Sequence, residues 1–215
     1  MKTDTSRMST QNQGKRTEKI SAFRRLEKMH PHKTFLFFAI IASTLSFLAL
    51  VLLYGIRMVE YQNVAFGFPK LFSVSTVVLL FSSYTMSRCI TAFKTDSMID
   101  LRISLFLTLL LAGVFCTMQV FCWQKMYADG VFFSYQTAVS FLYLISAFHL
   151  LHILLGFVML AYLNFNTYVA ANDMVKQLMF FSSKREGNKL EIVTMYWHFV
   201  DFMWLFLYFI FLFSF

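Results

Sequence analysis

Five long apolar runs, separated by short polar segments, limit what this chain can fold into. At about 1.5 Å of rise per helical residue, each run is long enough to cross roughly 30 Å of hydrocarbon. Apolar residues make up 58% of the 215 residues and charged residues only 14%, so most of the folded surface is expected to face lipid. The sequence predicts an all-α, polytopic membrane bundle with five transmembrane helices. The predicted spans cover approximately residues 34–56, 69–87, 103–123, 136–164 and 192–215.

The second span differs from the others because it is rich in hydroxyl side chains. Such small polar residues let helices approach closely and can form hydrogen bonds with their own backbone. We therefore predict that this span lies buried among its neighbours. The hydroxyl residues are Ser73, Ser75, Thr76, Ser82, Ser83 and Thr85.

The positive charge of the chain follows the predicted topology. The formal net charge is +8, and nine of the 19 Lys and Arg residues lie within residues 1–33. An inner N-terminus leaves only Arg57, Lys70 and Lys125 on the outer side, and this excess of inner positive charge is typical of membrane proteins. We predict an inner N-terminus and an outer C-terminus at Phe215. The membrane topology explains this distribution of Lys and Arg better than a nucleic-acid-binding groove does.

Two parts of unequal size are predicted, a basic cytoplasmic tail at 1–33 and a membrane domain at 34–215. In the tail, apolar residues recur at helical spacing between Lys and Arg, at Ile20, Phe23, Leu26 and Met29. This pattern indicates a short helix on the inner membrane surface. An ordinary solvated helix is the alternative.

Polar residues within the last two spans are the candidate functional residues. His149 and His152 share one face of the fourth span, and Glu191, His198 and Asp201 share one face of the fifth. Exposure of such residues to lipid would be costly. His152 and Asp201 also lie at similar depths, counted at about 1.5 Å per residue from the inner ends of their spans. We predict that these five residues form a buried polar cluster.

Several functions are compatible with this cluster. His149 and His198 could ligate a b-type haem, but Asp201 would then lie close beside an iron ligand. A proton relay or transport path is an alternative, because intramembrane His and Asp residues often form one. A desaturase-type iron site needs many His in repeated boxes, and this chain has five His in all. We favour a structural hydrogen-bond cluster that joins two helices.

No other motif indicates a cofactor or a soluble-enzyme active site. Cys89, Cys116 and Cys122 form no CxxC pair and are predicted to be small buried residues, not metal ligands or disulfide partners. The chain has no Gly-rich phosphate loop, no GxSxG and no HExxH.

The last two spans carry motifs of a known family. The run Tyr196 to Asp201 (YWHFVD), followed by Trp204 to Leu207 (WLFL), resembles the terminal helix of subunit III of the haem–copper cytochrome c oxidases. The segment Phe148 to His152 (FHLLH), with Gly156, is similar to that family's FHxLHxxxG helix. Glu191 also stands five residues before Tyr196, where the family has an acid.

The resemblance continues towards the N-terminus and covers roughly residues 68–215. Gly113, Gln119 and Trp123 match the spacing in the preceding helix of the family, and Pro69 with the Ser/Thr-rich run matches the helix before that. Two features depart from the long form of the family, which has seven helices and a glutamate in the helix equivalent to the first span. This chain has room for five and carries Ser43 and Thr44 at that level, so it is similar to the short bacterial forms.

The resemblance implies an accessory subunit of a proton-pumping, oxygen-reducing complex. Such a subunit is itself non-catalytic and holds no cofactor or metal, while the haems and copper lie in a partner. The implied partners are the catalytic subunit I, subunit II, a respiratory supercomplex and membrane lipids, within the cytoplasmic membrane of a bacterium. Cytochrome c is the expected electron donor, and a quinol oxidase is the alternative. The alternative function, from a different class of protein, is that of a stand-alone membrane haem protein or proton transporter.

Two lysines are candidate contacts for phospholipid. Family members hold phospholipid head groups with basic residues between the last two helices, and Lys176 and Lys184 match those positions. Composition alone identifies them only as lysines of an inner loop, which the charge bias already explains.

The predicted cluster can be tested at its only carboxylate within the hydrocarbon. We expect Asp201→Asn to destabilise assembly, because the variant loses an anionic hydrogen-bond acceptor. The measurement is thermal stability and yield of the purified complex. Wild-type values for both would contradict the cluster.

Overall fold

Six α-helices make up the described part of the chain. The structure is a computed structural model, and it describes residues 31–60, 70–130 and 137–214. No strand occurs within these ranges, which confirms the all-α prediction. The helix predicted in the tail around Phe23 lies outside the described residues. The helices are α1 (Pro31–Glu60), α2 (Lys70–Lys94), α3 (Met98–Ala128), α4 (Thr137–Ala171), α5 (Met174–Ser182) and α6 (Lys184–Ser214).

Five of these helices are long and apolar enough to cross a membrane, which confirms the predicted number of spans. They are α1, α2, α3, α4 and α6. Several begin earlier than predicted, because an apolar run marks only the part of a helix that lies in lipid. Helix α3 begins at Met98, where the Ser97 side chain accepts a hydrogen bond from the Asp100 amide and caps the helix. Helix α6 begins at Lys184, eight residues before the predicted boundary.

Helices α2, α3, α4 and α6 form a four-helix arrangement. Each packs on two others, in the order α2, α3, α4, α6 and back to α2. The turn between α2 and α3 is only three residues long, and Asp96 at its centre has a positive φ of 52°. In α1, the residues from Ala42 onward reach this arrangement through Phe47, whose ring lies 5.0 Å from that of Phe148, and Tyr54, whose ring lies 5.8 Å from that of Phe211.

Aromatic side chains of α6 fill the centre of the bundle. Trp197 and Trp204 are both fully buried. The Trp204 ring is stacked on Phe72 of α2 at 6.0 Å and meets Phe115 of α3 edge-on at 5.1 Å. The outer faces carry exposed large apolar residues, for example Leu151 and Phe202. That combination is what a helix bundle in lipid requires.

The predicted burial of the whole second span is wrong, because burial of α2 is confined to one face. Ser75, Thr76 and Ser82 are buried. Val77 and Phe81, on the opposite side of the helix, are exposed. The hydroxyl side chains therefore need burial on one side only, and apolar residues cover the other side.

Helices α4 and α6 approach closely at Gly156. A Cβ atom at this position would lie 2.9 Å from the Trp197 ring and 3.2 Å from the Tyr196 ring. Small residues permit such close helix contacts in membranes. The contact also fixes how far α4 and α6 are shifted along each other. The Trp197 ring fits against Gly156 and would not fit against a residue with a larger side chain.

We expect Gly156→Ala to destabilise the protein by about 1–3 kcal/mol, because the added methyl group would overlap a fully buried indole ring. The matched control is Gly55→Ala, since a Cβ there would meet nothing within 4 Å. Both variants gain similar helix propensity. Detergent-induced unfolding of the purified proteins measures the difference, and equal stability of the two variants would contradict the close contact.

Candidate functional site

The hydroxyl groups of α2 receive hydrogen bonds from the two buried tryptophans of α6. Trp204 Nε1 donates to Thr76 Oγ1 at 3.0 Å, and Trp197 Nε1 donates to Ser82 Oγ at 3.1 Å. Thr76 in turn donates to the backbone carbonyl of Phe72 at 2.8 Å. Each buried indole N–H thus has an acceptor on a neighbouring helix.

Other hydroxyl groups of α2 connect it to α3 and to the end of α6. Gln119 Nε2 of α3 donates to Ser75 Oγ at 3.2 Å. The hydroxyls of Thr85 and Thr108 lie 2.8 Å apart. Ser73 Oγ lies 2.9 Å from the Tyr208 hydroxyl. Helix α2 is therefore joined by hydrogen bonds to both of its neighbours.

His198 belongs to the contact between α6 and α2. Its Nδ1 lies 2.8 Å from Ser83 Oγ, and its Nε2 lies 3.2 Å from Ser87 Oγ. Both imidazole nitrogens are therefore engaged by serines of one helix. The sequence indicated that His198 needs a polar neighbour, but it did not identify α2 as the source.

His152 makes its hydrogen bonds on the other side of the bundle. Its Nδ1 donates to the Phe148 carbonyl at 2.8 Å, so its Nε2 accepts from the Ser43 hydroxyl of α1 at 3.1 Å. The Tyr196 hydroxyl of α6 donates to the His152 backbone carbonyl at 3.0 Å. His152 thus lies where α1, α4 and α6 meet.

His149 is buried in an aromatic environment. Its ring is stacked on Trp204 at a centroid distance of 4.9 Å, and Phe115 meets it edge-on at 6.3 Å. Neither imidazole nitrogen has a hydrogen-bond partner in the described part of the protein. Its contacts there are those of an aromatic core residue.

Asp201 is 4% exposed, and neither of its carboxyl oxygens has a partner within hydrogen-bond distance among the described residues. The Ser83 hydroxyl, which also contacts His198, is its adjacent polar group. The acceptor role behind the expected effect of Asp201→Asn therefore rests on the Ser83 hydroxyl as the nearby donor, and that effect stays a prediction.

Glu191 is exposed, so its predicted place in a buried cluster is wrong. At about 100° per residue, Glu191 lies roughly 120° around the helix from Trp197, whereas Asp201 lies only about 40° from it. The buried face of α6 is centred near the tryptophans. The polar face predicted from helical spacing was too wide, so it included Glu191, which lies at its edge.

The three histidines of the predicted cluster therefore make separate contacts. His152 bonds with α1 and its own helix, His198 bonds with α2, and His149 packs on Trp204. Within the described ranges, no group of three or more His, Cys, Asp or Glu side chains could hold a metal ion. The cysteines are free; Cys89 and Cys122 are buried and Cys116 partly so.

The two candidate lipid contacts lie at one end of the bundle. Lys176 is on α5 and Lys184 is the first residue of α6, and both side chains are exposed. Helix α5 itself was not predicted, because an apolar run of its length is too short to mark a span. The signal that could have found it is Asp173, whose side chain caps the helix by accepting from the Val175 amide at 2.9 Å.

The contribution of an indole hydrogen bond can be measured at Thr76. We expect Thr76→Val to lower stability by about 0.6 kcal/mol, and at most roughly 1.7, because Trp204 Nε1 would lose its acceptor within the membrane. The control is Thr117→Val, since the exposed Thr117 hydroxyl bonds only the Gly113 carbonyl of its own helix. Equal effects of the two substitutions on unfolding in detergent would contradict a role for this bond.

Comparison with known proteins gives a consistent family. The family model of cytochrome c oxidase subunit III matches residues 35–214. Cytochrome c oxidase subunit 3 of Chondrus crispus is 29% identical over 138 residues, which are 63% of this chain and 45% of that protein. A probable cytochrome c oxidase subunit 3 of Nocardia farcinica is 27% identical over 60% of this chain and 59% of its own length.

Relatives described as quinol oxidase subunits also match. A probable quinol oxidase subunit 3 of Staphylococcus saprophyticus is 27% identical over 63% of this chain and 62% of its own length. The chain thus spans about half to two thirds of the length of these curated relatives. Because the family model matches well over half of the chain, this chain belongs to the cytochrome c oxidase subunit III family.

Proposed function

We propose that this chain is an accessory, cofactor-free subunit of a proton-pumping haem–copper terminal oxidase in aerobic respiration. It is itself non-catalytic and supports a catalytic subunit I that holds the haems and copper, together with subunit II. The observation that carries the proposal is the family match over residues 35–214. A place in a respiratory supercomplex is part of the same proposal.

The geometry of the polar residues supports this assignment over a stand-alone haem protein. A haem between His149 and His198 would need an imidazole nitrogen of each to face one iron. Both nitrogens of His198 instead bond serines of α2, and the His149 ring is stacked on Trp204. These side chains contribute to packing of the bundle, as expected for a subunit whose partner carries the redox chemistry.

The electron donor of the complex is a further part of the proposal. We favour cytochrome c, because the family model and several relatives carry that description. A quinol is the second candidate, because quinol oxidase subunits also match this chain.

The proposed setting is the cytoplasmic membrane of a bacterium, with the N-terminus inside. The distribution of Lys and Arg supports this orientation. It puts Lys176 and Lys184 at the inner surface, where their exposed ammonium groups could contact lipid phosphates.

Purification of the intact complex tests the proposal. We expect an affinity tag on this chain, in a mild detergent, to retain a haem-containing catalytic subunit with oxygen-reducing activity. Oxygen uptake with reduced cytochrome c and with a reduced quinol identifies the donor. The control is the same purification from untagged cells.

A haem spectrum carried by this chain alone, and lost in a His149→Ala variant, would overturn the accessory role. The His149→Phe variant is the matched comparison, because it keeps an aromatic ring against Trp204 while removing both imidazole nitrogens. A complex with a normal haem spectrum in His149→Phe would support the packing role.

A further inference from the structure

Helix α5 presents an apolar stripe that no other described part of the chain covers. At about 100° per residue, Met174, Val175, Leu178 and Met179 fall within roughly 140° of one another. Their side chains are 85%, 67%, 73% and 66% exposed. A contiguous exposed apolar surface of this kind marks an interaction site.

Two phenylalanines beside the stripe hold α5 against the bundle. The Phe180 and Phe181 rings lie 5.9 Å and 5.5 Å from the Phe93 ring of α2. Phe93 also packs near Gly187 at the start of α6. Contacts on one side therefore fix which way the apolar stripe faces.

The position of α5 in the chain keeps it at the membrane surface. Two residues separate it from the end of α4 at Ala171, and one residue separates it from the start of α6 at Lys184. Both of these helices are long and apolar enough to span. A helix tethered so closely at both ends stays beside the ends of these two helices.

The surroundings of the stripe match a lipid surface. On the last turns of α4, Phe165 and Val169 are exposed and continue the lipid-facing surface towards α5. Lys176 lies at the edge of the stripe, and Lys184 and Arg185 follow the helix; all three side chains are exposed. Basic residues flanking an apolar face favour anionic head groups, whereas Lys is depleted at subunit interfaces.

A cavity beside α5 has the same mixed character. It has a volume of about 340 Å³ and lies between α5 and the turn after α2. Met174, Leu178 and Phe181 give it apolar walls, and Asp96, Gln177 and Ser182 add polar groups. A cavity with both apolar and polar walls is suited to the boundary between acyl chains and head groups.

We propose that the apolar stripe of α5 inserts into the boundary between head groups and acyl chains of the membrane that α4 and α6 cross. The occupant of this surface is phospholipid, with anionic head groups near the flanking basic residues. Helix α5 is thus an interfacial anchor that holds the α4–α6 connection on the bilayer. The inference does not depend on the proposed oxidase function.

Site-directed fluorescence on the full-length protein in liposomes tests this proposal. Leu178→Cys carries an environment-sensitive thiol label, in vesicles of phosphatidylcholine and phosphatidylglycerol with or without nitroxide on the upper acyl chain. We expect the nitroxide lipid to remove about half of the fluorescence, and aqueous iodide to quench little, because the stripe lies in the interface. Wild-type protein measures background labelling of the native cysteines, of which Cys89 and Cys122 are buried.

A second position on the stripe and a polar position outside it serve as controls. Met179→Cys, on the same stripe, is expected to behave like Leu178→Cys, and it serves if the first variant folds poorly. Asn172→Cys, at an exposed polar residue before the helix, is expected to favour iodide over nitroxide quenching. Equal iodide access at Leu178 and Asn172 would show that the stripe faces water. Protection of both stripe positions from iodide and nitroxide alike would show that a second copy of this chain covers the stripe instead, and either result overturns the proposal.

Discussion

Hydrogen bonds between hydroxyl groups of α2 and ring nitrogens of α6 are the contacts on which the bundle depends. A buried indole or imidazole nitrogen in the hydrocarbon region has no water to bond, so a partner in a neighbouring helix stabilises it. Thr76 and Ser82 satisfy the two tryptophans, and Ser83 bonds His198. The three contacts follow one another along the same pair of helices. They fix the register of α2 against α6 in a way that apolar packing alone would not.

Trp204 connects this polar contact to the rest of the core. Its indole N–H bonds α2, one edge of its ring meets Phe115 of α3, and its face is stacked on His149 of α4. One side chain therefore touches the three other helices of the four-helix arrangement. The motif on the last helix thus contacts each of the other helices of the four-helix arrangement.

Much of the fold was predictable because lipid imposes a simple rule on sequence. The number of spans and the helical class follow from apolar length. The partners of the polar residues were not predictable in the same way. Helical spacing shows that His198 and Asp201 share a face, but α6 lies between α2 and α4, and spacing does not identify which neighbour that face meets. Glu191 was misassigned for a related reason, since a stripe has an edge that only packing defines.

The placement of polar groups also limits how such a chain can bind a neighbouring subunit. Ser43, Ser83 and Thr76 all point to partners within this chain, so their hydrogen-bonding capacity is used internally. The outer faces of the spans carry large apolar side chains, such as Leu151 and Phe202. Association through those faces would rest on shape and van der Waals packing, because lipid tails are as apolar as the side chains they would leave. Specific polar contacts with a partner would then have to come from the ends of the helices, where charged residues such as Arg185 are exposed.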